Sequence, residues 1–185
     1  KTEQNNSDIS LSISRDNSSP IQERIKTILA NIVLGLILVG LAMYILISPR
    51  LSFVIILGIP FSFVIALLFI EIMGYSLNMV SMMAMLIALG IVVDDAIIIS
   101  ENIQRYLDEG YKINDAVLKG TKQMIAPVII AGFTTIFAFL PMLFISGEMG
   151  LFMKLIPIVI SCLIISSILE SFLFLPLHSK QILKA

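Results

Sequence analysis

The stretch MVSMMAMLIALGIVVDDAIIIS, residues 79–100, decides the fold because it sets two adjacent carboxylates, Asp94 and Asp95, inside an apolar helix. On insertion scales each charge costs about 2.5–3.5 kcal/mol, whereas each strongly apolar residue gains about 0.3–0.6 kcal/mol. The Leu, Ile, Val, Met and Ala residues around the acids therefore allow the helix to insert into a membrane, with little margin. Acids inside a membrane-spanning helix most often serve to move protons or ions.

The composition is that of an integral membrane protein. The chain has 185 residues, of which 58% are hydrophobic and 14% charged, and its mean hydropathy is +1.01. Soluble domains carry about 25% charged residues. The net charge of −1 provides no basic surface, so we expect no nucleic-acid partner. The sequence contains no phosphate loop, metal-ligand spacing or nucleophile elbow, so we expect neither an enzyme nor a cofactor, and the energy source is expected to be an ion gradient.

The apolar segments predict an all-α membrane protein, a bundle of five membrane-spanning helices. Its transmembrane domain is predicted over residues 20–185, with spans at about 28–47, 51–72, 77–101, 124–145 and 152–177. Residues 102–123 are predicted to form a cytoplasmic helical loop between the third and fourth spans. In that loop we expect Gly110 to end one helix and Asn114 to cap an amphipathic one.

The N-terminal segment has a different character. Residues 1–19 are polar, and the alternation of apolar residues with serines around Leu11 predicts a short strand. A single strand needs a sheet, so we expect this segment to be the end of an extracytoplasmic domain of a longer protein. Lys and Arg cluster in the loops on the side of Arg50 and Arg105, which places that side in the cytoplasm. The N-terminal segment is then outside and the C-terminus inside.

The acids of the third span can form the centre of a polar stripe. Asp94 and Asp95 point about 100° apart and can share one broad face. Gly90 lies one turn earlier and leaves room for another helix, while Glu101 and Asn102, seven residues later, extend the stripe towards the cytoplasm. We expect the pair to titrate as a coupled unit that holds a proton near neutral pH. Such a pair can load a proton on one side and release it on the other.

Two alternatives concern the acids. Asp94 and Asp95 could instead pair permanently with a basic residue and lock the helices together. The spans offer no Lys or Arg for such a pairing, because Lys154 lies at the outer end of the fifth span, so the partner would come from another part of the protein. Glu170, in CLIISSILESFLFLP, is a further candidate: it either lines a wet path beside Ser166 and Ser167 or merely reaches the membrane interface.

The run GIVVDDAIIISENIQR, Gly90–Arg105, resembles the acidic span of the resistance-nodulation-division (RND) efflux transporters, whose pattern is close to G-x-x-V-D-D-A-I-x-x-x-E-N-x-x-R. The similarity extends from about Asp16 to Leu183 and includes the later span APVIIAGFTTIFAFLPMLFISGEMG. The resemblance implies that the chain is the second to sixth transmembrane helices of a twelve-span pump. Residues 1–19 would then be the end of an extracytoplasmic porter domain.

The adjacent acids are most similar to those of the hydrophobic and amphiphilic efflux type. This resemblance implies multidrug export by proton antiport across the bacterial inner membrane, with Asp94 and Asp95 as the proton-carrying pair and a partner lysine in the missing second half. It also implies a homotrimer and, in Gram-negative bacteria, a periplasmic adaptor and an outer-membrane channel. Glu170 departs from the apolar residue expected in the best-known drug pumps, so the substrate and subfamily stay open.

The same five-helix unit also resembles the sterol-sensing domain of eukaryotic lipid transporters. A lipid-binding transmembrane module is therefore an alternative function, as is a lipid-exporting or protein-exporting member of the same superfamily. A helical assembly scaffold is a third class. Binding of a hydrophobic ligand without any need for Asp94 and Asp95 would distinguish the lipid-binding module from an antiporter half.

Overall fold

A computed structural model describes residues 18–76 and 78–184, and all regular structure in these ranges is helical. A short 3-10 segment is formed by Leu140–Phe144, and a π-helical segment by Glu170–Phe174. The α-helices are α1 (Ser18–Leu46), α2 (Pro49–Ile72), α3 (Met79–Asp108), α4 (Ile113–Phe139), α5 (Glu148–Met153), α6 (Leu155–Leu169) and α7 (Leu175–Lys184).

The described residues form the all-α membrane bundle that the sequence predicts. Among them, four helical stretches are long and apolar enough to cross a membrane: Pro49–Ile72, Met79–Asp108, Ile113–Phe144 and Glu148–Lys184. The first predicted span, 28–47, falls within α1, whose described apolar run is Val33–Ile45. The strand predicted in the N-terminal segment lies outside the described residues.

Helix α6 is at the centre of the bundle. It packs against α3, α2 and α4, and its side chains at Val159, Ile160 and Leu163 are fully buried. Serines and a cysteine between these apolar residues keep the helix narrow, which lets its neighbours approach closely. The α3–α6 contact is the most extensive in the bundle and positions the acidic span.

The connection between α3 and α4 differs from the predicted helical loop. Helix α3 continues to Asp108 and α4 begins at Ile113, so residues 109–112 alone form the connection. Gly110 has φ +86, the left-handed conformation expected after a helix end. Asn114 is not a cap, because the position before the helix is occupied by Lys112, which makes no side-chain capping bond.

Packing explains why these helices extend past the predicted spans. Ile103 of α3 and Val117 of α4 are buried, and a Cβ atom added at Gly120 would lie 2.8 Å from the Cα atom of Ile103. The two backbones therefore approach closely beyond the acidic part of α3. Burial in this contact accounts for the unbroken continuation of the two helices beyond the predicted spans.

Candidate functional site

Helix α3 carries its two acids on different faces. Asp95 is 7% exposed and points into the bundle towards α6, whereas Asp94 is exposed. Successive residues of a helix differ by about 100°, so the α3–α6 interface accommodates one of the two neighbours and excludes the other. The expectation of one shared face is therefore wrong within this bundle, since one acid is inside it and the other is on its surface.

A serine of α6 contacts the buried acid. The Oγ atom of Ser167 lies 3.1 Å from Oδ2 of Asp95 and 3.0 Å from the carbonyl oxygen of Val92. A hydroxyl has one proton, so it donates to one of these acceptors at a time. An ionised Asp95 accepts the hydrogen bond from Oγ, whereas a protonated Asp95 can donate to Oγ while the hydroxyl donates to the carbonyl of Val92. The contact therefore supplies a hydrogen bond to either charge state of the acid.

Asp94 belongs to an exposed stripe along α3. It lies near the middle of this 30-residue helix, and Gly90 is exposed one turn before it. A Cβ atom added at Gly90 would meet nothing within 4 Å among the described residues. The helix expected to approach Gly90 is therefore not one of the described helices. The exposed stripe consists of Met83, Ile87, Gly90, Asp94, Ile98, Glu101, Arg105 and Asp108.

The far end of this stripe borders an open pocket. Glu101 is exposed, and with Arg105 and Asp108 it lines a cavity of about 400 Å³ that Ile98 and Met124 also border. The pocket begins one turn beyond Asp94 and opens at the end of α3.

Asn102 has a different position from Glu101. It is 5% exposed, and its Nδ2 atom donates to the carbonyl oxygen of Gly120, at 2.8 Å, and to Oε1 of Gln123, at 3.2 Å. Arg105 and Tyr106 also donate to this Gln123 oxygen, at 2.9 and 3.0 Å. These bonds tie the end of α3 to α4. Asn102 lies on the same side of α3 as Asp95, as expected, but its contacts hold two helices together.

Glu170 is buried. It is 2% exposed and begins the π-helical segment, where it faces Gly58 of α2. A Cβ atom at Gly58 would overlap the Glu170 carboxylate and would lie 2.8 Å from its Cδ atom. The carboxyl therefore points into the bundle rather than out to its surface. Ser166 bonds to the carbonyl oxygen of Cys162 in its own helix, so Ser167 alone of the two serines contacts an acid.

Two residues that complete this arrangement, Ser167 and Gly58, could not be paired with their acids from the sequence. Ser167 is 72 positions from Asp95, and Gly58 is even further from Glu170 along the chain. Patterns within one helix cannot pair residues at such separations. In the described ranges, no group of three or more His, Cys, Asp or Glu side chains could hold a metal ion.

Known proteins are similar to this chain over nearly its whole length. The model of the AcrB/AcrD/AcrF family matches residues 3–185. The chain belongs to the AcrB/AcrD/AcrF family. Among curated relatives, "Multidrug resistance protein MdtC" of Escherichia coli O139:H28 (strain E24377A / ETEC) and that of Shigella flexneri are each 32% identical to it over 178 residues, which is 96% of the chain. The chain spans 17% of the length of these relatives.

Membership in the AcrB/AcrD/AcrF family confirms the resemblance to RND efflux transporters. It also agrees with the long apolar helices of the structure, so the chain is a multi-pass segment of a membrane transporter family. The family match covers α1 to α7, and the acids of α3 lie within it.

Proposed function

We propose that this AcrB/AcrD/AcrF-family chain is the proton-relay half of a transporter that exports hydrophobic or amphiphilic compounds in exchange for protons. The observation that carries the proposal is the division of the acidic pair. Asp95 is hydrogen-bonded inside the bundle, whereas Asp94 is on a bare face near the middle of a membrane-crossing helix. A charge facing lipid at that depth is costly, so Asp94 needs a polar partner from outside the described residues.

That partner is a cation in the second half of the transporter. Gly90 supplies room for a helix of the second half to approach one turn from Asp94. Two opposite unit charges 4 Å apart attract each other by about 4 kcal/mol at an effective dielectric constant of 20. Protonation of the acid removes this attraction, so the two halves can shift relative to each other.

Protonation of Asp95 has an effect inside the bundle. When it gains a proton, the Ser167 hydroxyl turns from the carboxylate to the Val92 carbonyl. The α3–α6 contact is thereby altered without breaking. The proton leaves towards the pocket at Glu101, at the end of α3 that bears Arg105 and is cytoplasmic by its positive charge. Each proton that moves down the gradient supplies about 2.3 kcal/mol per 100 mV.

The remaining parts of the proposed transporter lie outside this chain. Substrate binding belongs to extracytoplasmic porter domains, to which residues 1–19 connect, and the helix shifts move these domains through access, binding and extrusion. The transporter is a homotrimer in the bacterial inner membrane, with an adaptor and an outer-membrane channel in Gram-negative cells. It uses the proton gradient in place of a cofactor and catalyses no chemical reaction. The multidrug-resistance names of the relatives support this substrate class.

The test is substrate efflux from cells that carry the full-length transporter with Asp94→Asn or Asp95→Asn, at matched expression. We expect both variants to assemble and to lose efflux. Glu71→Gln is the matched control. This acid is exposed at the C-terminal end of α2, so its change should leave efflux intact. Retained efflux in either aspartate variant would contradict the proposal and would make that acid structural.

A further inference from the structure

Glu170 is a second acid inside the bundle, and the proposed relay does not use it. It is 2% exposed, and its Oε1 atom has no hydrogen-bond partner among the described residues. It lies against Gly58 of α2, in the one helical segment of the described chain that has π geometry. Single π turns within α-helices occur frequently at functional sites.

The charged groups of the neighbouring helices do not neutralise this carboxyl. On α2, Arg50 and Glu71 are exposed at opposite ends of the helix. On α7, His178 is exposed and stacks on Phe174, and Lys180 is exposed two residues later. On α4, Lys119 and Lys122 are exposed in the turns that precede the apolar part, Lys119 lying over the Tyr111 ring.

Asp115 of α4, Lys184 of α7 and Lys154 before α6 are also exposed. Helix α3 carries the acids nearest to Glu170 along the α3–α6 contact. Asp95 contacts Ser167, one turn of helix before Glu170, and is itself an acid. Asp94, Glu101 and Arg105 are on the exposed stripe. In the described ranges, the pair Arg105–Glu109, at 3.9 Å, is the only ion pair within 4.0 Å. An ionised carboxylate buried without a partner cation costs several kcal/mol, so the observed packing suits a neutral acid.

We propose that Glu170 is a second proton-binding carboxyl, separate from the Asp94–Asp95 pair, whose protonation is coupled to the packing of α2 on the π-helical segment at Gly58. This inference rests on the proposed function only in one respect: the proton gradient drives the uptake and release of the proton at Glu170. The ligand is a proton.

The glycine makes the coupling possible. No side chain separates Gly58 from the carboxyl, so α2 and the π-helical segment are in direct contact through the acid itself. A neutral carboxylic acid tolerates this dry contact. An ionised one requires water or donors around both oxygens, and these fit only if α2 moves away. Release of the proton therefore opens the α2–α6 side of the bundle, and its uptake closes that side.

Buried hydroxyls without hydrogen-bond partners among the described residues lie on the elements between this acid and one end of the bundle. Four such hydroxyls are found in the described ranges, although buried polar groups are nearly always paired. All four lie from Glu170 towards the end that bears Arg105 and Lys180, and they come from α3, α4, the π-helical segment and α7: Ser100, Thr121, Ser171 and Ser179. A hydroxyl can both donate and accept, so these groups can pass a proton between Glu170 and that end.

The test is an infrared pH titration of the purified full-length transporter in lipid nanodiscs, with Glu170→Gln, Asp95→Asn and the control Glu71→Gln. The carbonyl band of protonated carboxylic acids reports each buried acid directly. We expect a titrating component that is lost in Glu170→Gln and kept in the other two variants. Glu170→Asp should restore a titrating component at a shifted position, and this variant serves if Glu170→Gln fails to assemble.

Three results would overturn the inference. They are an unchanged spectrum in Glu170→Gln, a Glu170 component that stays protonated at every pH, and a component that responds to Na⁺ in place of choline at constant pH. The last would make this a cation site. A Glu170 component that titrates while the aspartate variants retain efflux would sustain this inference and remove the proposed function, so the two failures are distinguishable.

Gly58→Ala tests the coupling itself. The added methyl group would overlap the carboxylate, so we expect the Glu170 component to shift while the Asp95 component stays unchanged. Gly35→Ala is its control, since a Cβ atom there would meet only the end of the Leu89 side chain, at 3.2 Å. Equal spectra for the two alanine variants would contradict a role for the Gly58 contact.

Discussion

Replacing Gly120 with alanine should separate α3 from α4 and destabilise the protein. An added Cβ atom would lie 2.8 Å from Cα and 2.9 Å from the backbone nitrogen of Ile103. Carbon atoms in contact are normally about 3.5–4.0 Å apart, so the helices must move by about 1 Å. Backbone atoms cannot rotate away as a side chain can, so the displacement involves the whole of the α3–α4 contact.

The magnitude of this effect combines three contributions. Overpacking in a tight interior costs about 1–3 kcal/mol. The 2.8 Å bond from Asn102 to the Gly120 carbonyl lengthens as the helices part, and its loss costs about 0.5–1.5 kcal/mol. The change from glycine to alanine within a helix gains about 1 kcal/mol. The net destabilisation of Gly120→Ala is therefore about 2 kcal/mol.

The measurement is the apparent melting temperature of the full-length protein, followed by fluorescence-detected size-exclusion chromatography. We expect Gly120→Ala to melt several degrees below the wild type. Gly35→Ala should equal or exceed the wild type, since its one near neighbour is a flexible leucine methyl group. Equal melting of the two variants would refute the close approach of α3 and α4 at Gly120. Asn102→Ala combined with Gly120→Ala should cost less than the sum of the single changes, because both remove the same hydrogen bond.

Three further changes test other parts of the structure. Ser167→Ala removes the hydroxyl that contacts Asp95, so efflux should fall about tenfold. This is the equivalent of about 1.4 kcal/mol for a charge-assisted hydrogen bond. The control Ser166→Ala loses only a hydrogen bond within its own helix and should retain efflux. Gly147→Ala forces a side chain into φ +85, ψ −174, a region essentially restricted to glycine, so the melting temperature should fall by an amount equivalent to about 1–3 kcal/mol. Gly90→Leu adds bulk on a face that is bare in this chain, so efflux should be lost if a helix of the second half packs there; unchanged efflux would argue against that contact.

The sequence predicts the helices well, because they follow from local properties. Runs of about 20 apolar residues indicate membrane-spanning helices. Two carboxylates within such a run indicate a functional site. Asn102 and Glu101 fall on the sides that their spacing from the acids predicts. The family resemblance, which depends on an ordered local motif, is confirmed.

What the sequence could not predict depends on contacts between helices. Periodicity indicates that more charged residues follow on the side of Asp94 than on that of Asp95, but it could not show that α6 would be the helix that covers Asp95. Glu170 is ten residues from Lys180 along the chain, a separation compatible with a position at the membrane interface. Its burial in the bundle depends on the space that Gly58 leaves on α2. Asn114 has the chemistry of a cap, but the buried side chain at Val117 and the tight packing at Gly120 begin α4 earlier.

Helix α6 contacts one buried acid through Ser167 and leads directly into the segment that carries the other, Glu170. A transporter whose two proton sites act on one helix can couple two protons to each transport cycle. One proton crossing 100 mV supplies about 2.3 kcal/mol, enough to hold an uncharged compound at a concentration ratio of about 50. Two protons square this ratio, to about 2,500. If Glu170 and the acidic pair each carry a proton, as proposed, the placement of Glu170 sets how low a cell could keep the internal concentration of an exported compound.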